Sequence, residues 1–242
     1  MTILGMETST PLASVAVLSA QGLLGEVSFR CHQTLAQRLI LCLQQLLAEI
    51  GLTVADLEGI AVSRGPGSFT SVRVGMATAK GLAQALSLPL VGVSALDALA
   101  MGLPDGEAIL LCPLLKAPKR HFYTALYQRE APDAVRRVAP YALLSLEELA
   151  LRLMEREQPV LVGGPLTEEE RIQLQEHSGV AIHWAPTSLS LPRAALVAEL
   201  GRQRLMKGER DELFRLLPLY VKPSEPEEKL GRLFTRVETG IE

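Results

Sequence analysis

Between an apolar strand and a long helix stand eight residues, Ser63-Arg64-Gly65-Pro66-Gly67-Ser68-Phe69-Thr70, and no other stretch constrains the path of the chain as tightly. Gly65 and Gly67 permit a sharp reversal, Pro66 stiffens the corner, and Ser68 or Thr70 can cap the helix that follows. Residues 59–62 read as a buried strand and residues 72–86 as a helix. A turn of this kind presents backbone N–H groups at a helix start, where the dipole favours an anion. The Gly-x-x-x-x-Gly-Lys-Ser/Thr pattern is absent, so no lysine is placed to reach a terminal phosphate. Two readings stand side by side: an anion cradle built on Gly65, Gly67, Ser68 and Thr70, or a tight strand–helix turn that binds nothing.

Around this turn the first hundred residues divide cleanly. Residues 2–6, 13–18 and 23–29 read as three short strands of an antiparallel meander, and a helix follows over 34–50, stopped by Gly51. Strand 59–63, helix 72–86, strand 90–93 and a short helix from Ser94 complete the order βββαβαβα, that of a ribonuclease-H-like α/β unit. The second half repeats the order faintly, with strands at 108–115, 122–128 and 135–141. A helix then runs from the Ser145 cap to about 157, with Glu148 at the capping-box position. Strand 159–163, helix 167–178, strand 180–184 and a last helix over about 192–207 follow. The Gly- and Pro-containing segment 101–107 marks a boundary, and the tail after Lys222 reads as irregular.

Composition sets the outer limits. The 242 residues suffice for one large or two small domains, and 48% of them are apolar. Uncharged apolar runs such as residues 39–43 are far too short to span a bilayer, and Glu7 follows the first strand without a basic leader. Cys31, Cys42 and Cys112 sit in apolar contexts and read as buried thiols of a reducing compartment. A cytoplasmic protein with no membrane contact is expected. The net charge of -3 argues against a chain that holds nucleic acid by itself.

Metal and nucleophile chemistry are poorly served. His32, His121, His177 and His183 include no pair at helical i, i+4 spacing, no Cys-x-x-Cys occurs, and no metal site is expected. Cys112 lies inside an apolar strand where burial makes a thiol inert, and no catalytic residue is assigned. Glu7-Thr8-Ser9-Thr10 ends the first strand, where a carboxylate and hydroxyls either face a nucleotide or serve turn chemistry.

Helix 34–50 says more. Its apolar residues cover an arc of roughly 160°, wider than one core contact needs, while Leu41 lies opposite with Gln37, Arg38, Gln44 and Gln45. The next helix sets Gly75, Ala79 and Ala83 at i, i+4 spacing, a flat surface that another helix can approach. Internal helix packing suits these residues. The expectation carried forward is a helical protein–protein interface, with Leu35, Arg38, Leu39, Cys42, Leu43 and Leu46 on the first helix and Arg73, Gly75, Met76, Ala79 and Ala83 on the second.

At this point the residues resemble a known family. Ile3-Leu4-Gly5-Met6-Glu7-Thr8-Ser9-Thr10, Ser14-Val15-Ala16-Val17 and above all the block from Gly65-Pro66-Gly67-Ser68-Phe69-Thr70 through Lys80-Gly81-Leu82-Ala83 are similar to the TsaB (YeaZ) family. Val91-Gly92-Val93-Ser94, Tyr123 and Pro218-Leu219-Tyr220-Val221-Lys222 add weaker matches. The resemblance implies an actin-like ATPase/sugar-kinase fold of two ribonuclease-H-like lobes, here 1–103 and 104–242, with helix 192–207 returning to the first lobe. It implies a non-catalytic partner of TsaD in threonylcarbamoylation of the adenosine beside the anticodon of tRNA, with TsaE joining. It also implies a homodimer when the chain is alone, tRNA reached only through the complex, and pairing through the first two helices. No cofactor is expected beyond weak adenine-nucleotide binding at the partner interface, for which Glu7, Thr8, Gly65, Gly67, Ser68 and Thr70 are the candidates.

Departures from the family pattern are part of the resemblance. Glu7 stands where the family has Asp, Leu35 where it often has His, Ser71 where it has Gly, and Lys116-Ala117-Pro118-Lys119 where it has an acidic Asp-Ala-Arg segment. Two other classes compete with the scaffold: an active ATPase or phosphotransferase of the same fold, drawing on Glu7, the 65–70 turn and Gly163-Gly164, and a peptidase, for which no dyad is visible.

Overall fold

The computed structural model describes residues 1–30, 34–104 and 109–221. Cys31, His32, Ala108, residues 105–107 of the boundary segment, Lys222 and the tail beyond it lie outside the described residues. Two compact units emerge, one of Met1–Ala98 with Pro192–Leu219, the other built on Leu99–Leu191.

The first unit is built on strands β1 (Ile3–Glu7), β2 (Leu12–Ser19), β3 (Gly22–Arg30), β4 (Gly59–Ser63) and β5 (Leu90–Val93), in the order β3-β2-β1-β4-β5. β1 pairs antiparallel with β2 and parallel with β4, and β4 parallel with β5. Every residue of β1, β4 and β5 is buried, because both faces of the sheet are covered. Leu4, Met6, Val15, Val17, Ile60 and Val62 turn to one face and join a core with helices α1 (Leu35–Glu49) and α2 (Phe69–Leu86). Ile3, Ala61, Val91 and Val93 turn to the other face. A short helix, α3 (Ala95–Gly102), follows β5.

That second face is closed by a helix from the far end of the sequence (Ala194–Met206). It is the sixth in chain order, α6, after α4 (Leu146–Met154) and α5 (Glu168–Ser178) of the second unit. The approach is close: a Cβ on Gly5 would stand 2.2 Å from the Ala194 carbonyl oxygen, and one on Gly201 2.2 Å from the Ala61 Cβ. Arg193 occupies the N-cap and gives no capping bond. The orphan N–H groups are met from the sheet instead, Ala194 donating to Ser14 Oγ (2.9 Å) and Ala195 to Glu26 Oε1 (3.1 Å). Beyond α6 the chain lies along the edge of β5. Asp211 N–H donates to Leu90 O (2.9 Å), Gly92 N–H donates to Asp211 Oδ2 (2.7 Å), and Leu219 N–H reaches Arg64 O (2.7 Å). The exposed sheet edge is thereby covered.

The second unit follows the same path. Strands β6 (Leu110–Lys116), β7 (Phe122–Thr124), β10 (Ala142–Leu144), β11 (Val160–Gly163) and β12 (Ile182–Trp184) run in the order β10-β7-β6-β11-β12, with β8 (Tyr127–Ala131) and β9 (Ala134–Arg137) as a side hairpin on β6. Both of its helices open on capping boxes, Ser145 with Glu148 and Thr167 with Glu170. The expected strand 122–128 is two strands, because Thr124 pairs with Leu114 and Ala142 whereas Tyr127 pairs with Leu111. Between them Leu126 O accepts from Val138 and Ala139, so the chain leaves one ladder before joining the next.

Candidate functional site

Because β1 and β4 are parallel neighbours, the turn after each emerges at the same edge of the sheet. Glu7-Thr8-Ser9-Thr10 and Gly65-Pro66-Gly67-Ser68 are therefore brought together, and they bond to each other. Ser68 N–H donates to Ser9 O at 2.8 Å, and a Cβ on Gly67 would stand 2.2 Å from that same oxygen. Gly65 N–H reaches Ser63 Oγ at 3.4 Å. Thr8 Oγ1 donates to Ser71 O (2.9 Å), and Gly75 lacks a side chain where a Cβ would come within 2.2 Å of Thr8 Oγ1. The glycines of this block thus admit the β1 turn, whose Ser9 carbonyl takes the Ser68 N–H. Ser68 is the N-cap of α2 by position, yet its hydroxyl makes no cap bond and pairs with Ser71 Oγ (3.0 Å). Phe69 and Thr70 are exposed, and the Phe69 ring stacks under the Arg73 guanidinium at 3.7 Å.

Glu7 itself is fully buried. Its Oε1 accepts from Ser9 N–H, while Oε2 and the Ser9 hydroxyl lack a bond of good geometry. Burial pushes the carboxyl above its ordinary range, and the Ser9 and Ser63 groups beside it offset part of that rise. A fully buried carboxyl whose ionisation is disfavoured is a poor ligand for a metal or for the cation of a nucleotide. Among the described residues no three His, Cys, Asp or Glu side chains converge as a metal site would require. Burial likewise pushes the Cys112 thiol up to about 11, with Thr124 Oγ1 at 3.4 Å, so it is inert.

The helix face is organised differently from the expectation. Leu39 (0% exposed), Leu43, Leu46 and Leu47 point into the sheet from α1, as do Gly75, Met76, Ala79 and Ala83 from α2. The wide apolar arc of α1 is used internally, against β2, β3 and α2, which is why one core contact did not account for it. Leu39, Leu43, Leu46, Gly75, Met76, Ala79 and Ala83 are accordingly corrected from contact residues to core residues. Leu35 and Cys42 are half-buried, and Arg38 and Arg73 are exposed. On the outer face Leu41 is 56% exposed, amid Gln37, Gln44, Gln45 and Ala48, all exposed. Beside it α2 turns Thr70, Ala77, Gly81 and Gln84 outward, and the space above Gly81 is open.

The family described as TsaD: tRNA N6-adenosine threonylcarbamoyltransferase matches residues 14–207. The chain is 29% identical to the tRNA threonylcarbamoyladenosine biosynthesis protein TsaB of Bacillus subtilis, across 95% of this chain and 97% of that one. A solved structure titled YeaZ from Pseudomonas aeruginosa superposes with a TM-score of 0.75 at 29% identity, covering 90% of this chain and 99% of that one. The chain belongs to the TsaD family, as one of its TsaB (YeaZ) members. The family works in the biosynthesis of tRNA threonylcarbamoyladenosine. The ROK hexokinase of Thermus thermophilus superposes at a TM-score of 0.53 with 12% identity, over 86% of this chain and all of that one, which shows the actin-like ATPase/sugar-kinase fold and nothing more.

In this TsaB-type chain the expected interface residues of α1 and α2 divide between the core and the surface. Leu41, an apolar residue alone on the polar side of α1, is the position that the expected contact residues left out, and it stands exposed. No helix among the described residues is long and apolar enough to cross a membrane.

Proposed function

We propose that this chain is a non-catalytic subunit that holds TsaD through the outer face of α1 and α2, so that threonylcarbamoyl transfer to tRNA proceeds in the complex. TsaE joins that complex, and tRNA reaches the chain only through it. In the absence of TsaD the same face pairs two copies of the chain. The observation that carries the reading is Leu41, more than half exposed among the exposed glutamines of its own helix, while the neighbouring α2 also leaves the small residues Ala77 and Gly81 exposed. An apolar anchor inside a polar rim is the arrangement of an interface hot spot, and small residues let a partner helix come close. The buried Glu7, whose ionisation burial disfavours, and the Ser68 N–H already bonded to Ser9 O support a chain that does not turn over nucleotide.

The test is tRNA threonylcarbamoylation by TsaD and TsaE with a threonylcarbamoyl-adenylate donor, with and without this chain. Activity should depend on the chain. Leu41→Asp should leave circular dichroism and the melting curve unchanged while weakening TsaD binding about tenfold or more. Equal activity without the chain, or ATP hydrolysis by the chain alone, removes the proposal in favour of an enzyme.

A further inference from the structure

Helices α4 and α5 pack side by side in the second unit, with Leu149, Ala150, Leu153 and Leu174 turned into its core. Two contacts fix their register. Gln173 Nε2 donates to Glu147 Oε1 at 2.9 Å near the start of α4, and a Cβ on Gly179, just past α5, would meet Met154 Cγ at 3.8 Å. Away from that core Leu151, Met154 and Ile172 are 61%, 45% and 51% exposed. Met154 also lines an open hollow of about 510 Å³ with Pro159, Val180 and Ala181. Glu155, Glu157, Glu168, Glu169 and Glu176 stand exposed along the same two helices and the turn after α4. The other carboxylates here are engaged: Glu147 with Gln173, Glu148 and Glu170 in the capping boxes, and Glu170 also with Lys116 at 3.6 Å. The cations of α4, the turn after it and α5 are Arg156, exposed, Arg152, half-buried, and Arg171, held over the Trp184 ring at 5.3 Å. The surface is thus apolar at three points and predominantly acidic around them.

The complement is written in the sequence beyond Val221, outside the described residues. Lys229-Leu230-Gly231-Arg232-Leu233-Phe234-Thr235-Arg236-Val237 carries Lys229, Arg232 and Arg236 and no carboxylate, in a chain whose net charge is -3. Leu230, Leu233, Phe234 and Val237 recur at i, i+3, i+4 and i+7, the spacing of one side of a helix. We infer that segment 229–237 docks on the α4/α5 face of its own chain, its apolar residues against Leu151, Met154 and Ile172 and its cations among the surrounding carboxylates. Exposed apolar side chains gathered on one face mark a docking surface, and an amphipathic segment of opposite charge is the occupant that fits both features. Residues 222–228 tether the segment to Val221 with a reach of at most about 24 Å, and a short tether gives a local concentration of the order of millimolar. That concentration favours the chain's own face over the same face on another copy. The contact needs neither TsaD nor the α1/α2 face, so it stands or falls apart from the function proposed above.

Trypsin reads the contact directly, because Lys229, Arg232 and Arg236 are its cleavage sites. In the full chain, cleavage after Arg232 and Arg236, followed by mass spectrometry, should be about tenfold slower than in a synthetic peptide of residues 221–242. Leu151→Asp combined with Ile172→Asp should bring the rate to that of the peptide while circular dichroism and the melting curve stay as in the parent, since both positions are exposed. Phe234→Asp should do the same from the other side of the contact without altering α4 or α5. Raising NaCl from about 50 to about 500 mM should speed cleavage in the full chain at least about twofold relative to the peptide, as screening weakens the charge pairing. Equal rates in the parent chain and the peptide leave the face to another protein and overturn the inference. Protection that survives both variants overturns it by placing the segment elsewhere. Protection that appears only as the chain is raised from about 1 to about 100 μM assigns the face to the segment of a second copy, and overturns it as well.

Discussion

Single residues show what the glycines of the 65–75 block accommodate in the fold. Gly67 and Gly75 look like the permissive residues of a ligand cradle, but their missing side chains are needed for Ser9 and Thr8 of the neighbouring strand turn. Sequence alone cannot distinguish a glycine that admits a ligand from one that admits backbone, since both demands are steric. Glu7 is similar: the extra methylene relative to an aspartate sits in a fully buried pocket, where ionisation is disfavoured. This has a consequence for stability. In the unfolded chain Glu7 ionises near its ordinary 4.5, and in the folded chain only at higher pH. Below pH 4.5 both states hold the proton and the fold has its full stability. As pH rises from there to the folded-state pKa, the unfolded chain releases the proton first, so stability is progressively lost and then levels off. Glu7→Gln cannot ionise and keeps an oxygen for the Ser9 N–H. Its urea midpoint relative to the parent should accordingly climb with pH from about 4.5 upward. A difference that stays flat across the range would show that Glu7 ionises in the fold as freely as outside it.

Elements were legible in the sequence where local chemistry sets them, and illegible where tertiary partners do. The capping box at Ser145, the stop at Gly51 and the buried strand 59–63 are local signals, and these elements start or stop where they were read, although α4 ends at Met154 rather than at about 157. Strand 122–128 failed because the change from one ladder to another is dictated by which partner strands are near, not by its own alternation. α6 is the instructive case. Its start at Arg193 has no local cap, and its N–H groups are satisfied by Ser14 and Glu26, 180 and 169 residues away. The Glu26 side chain is only 5% exposed, while its ionic partner Arg193 is 45% exposed. The bond to Ala195 N–H should then matter more than the ion pair, which solvent screens. Glu26→Ala is expected to cost about 2 kcal/mol in urea unfolding, Glu26→Gln less than half of that, and Arg193→Ala at most about 0.5 kcal/mol. Equal losses for Glu26→Ala and Arg193→Ala would place the stabilisation in the ion pair instead.

The whole molecule is two passes along one strand path, β3-β2-β1-β4-β5 and β10-β7-β6-β11-β12, and the faint repeat of element order in the sequence is the trace of it. The repeat is unequal in one respect that bears on folding. The first unit is not contiguous: residues 1–98 supply the sheet and two helices, but the lid over Ile3, Ala61, Val91 and Val93 arrives only with residues 192–219. Gly5 and Gly201 are shaped for that lid, and the strap from Asp211 to Leu219 seals the β5 edge. Without them one face of the sheet would expose an apolar surface that water cannot satisfy, and an open edge would invite pairing with other chains. A fragment of residues 1–104 is therefore expected to bind a hydrophobic dye and aggregate. A synthetic peptide of residues 190–221, added during refolding, should restore a cooperative urea transition in the same fragment. The peptide with Gly201→Leu should fail to do so, since that side chain would be driven into Ala61. Cooperative unfolding of the 1–104 fragment on its own would mean that α1 and α2 suffice as a core and that α6 is an accessory, contrary to the packing at Gly5.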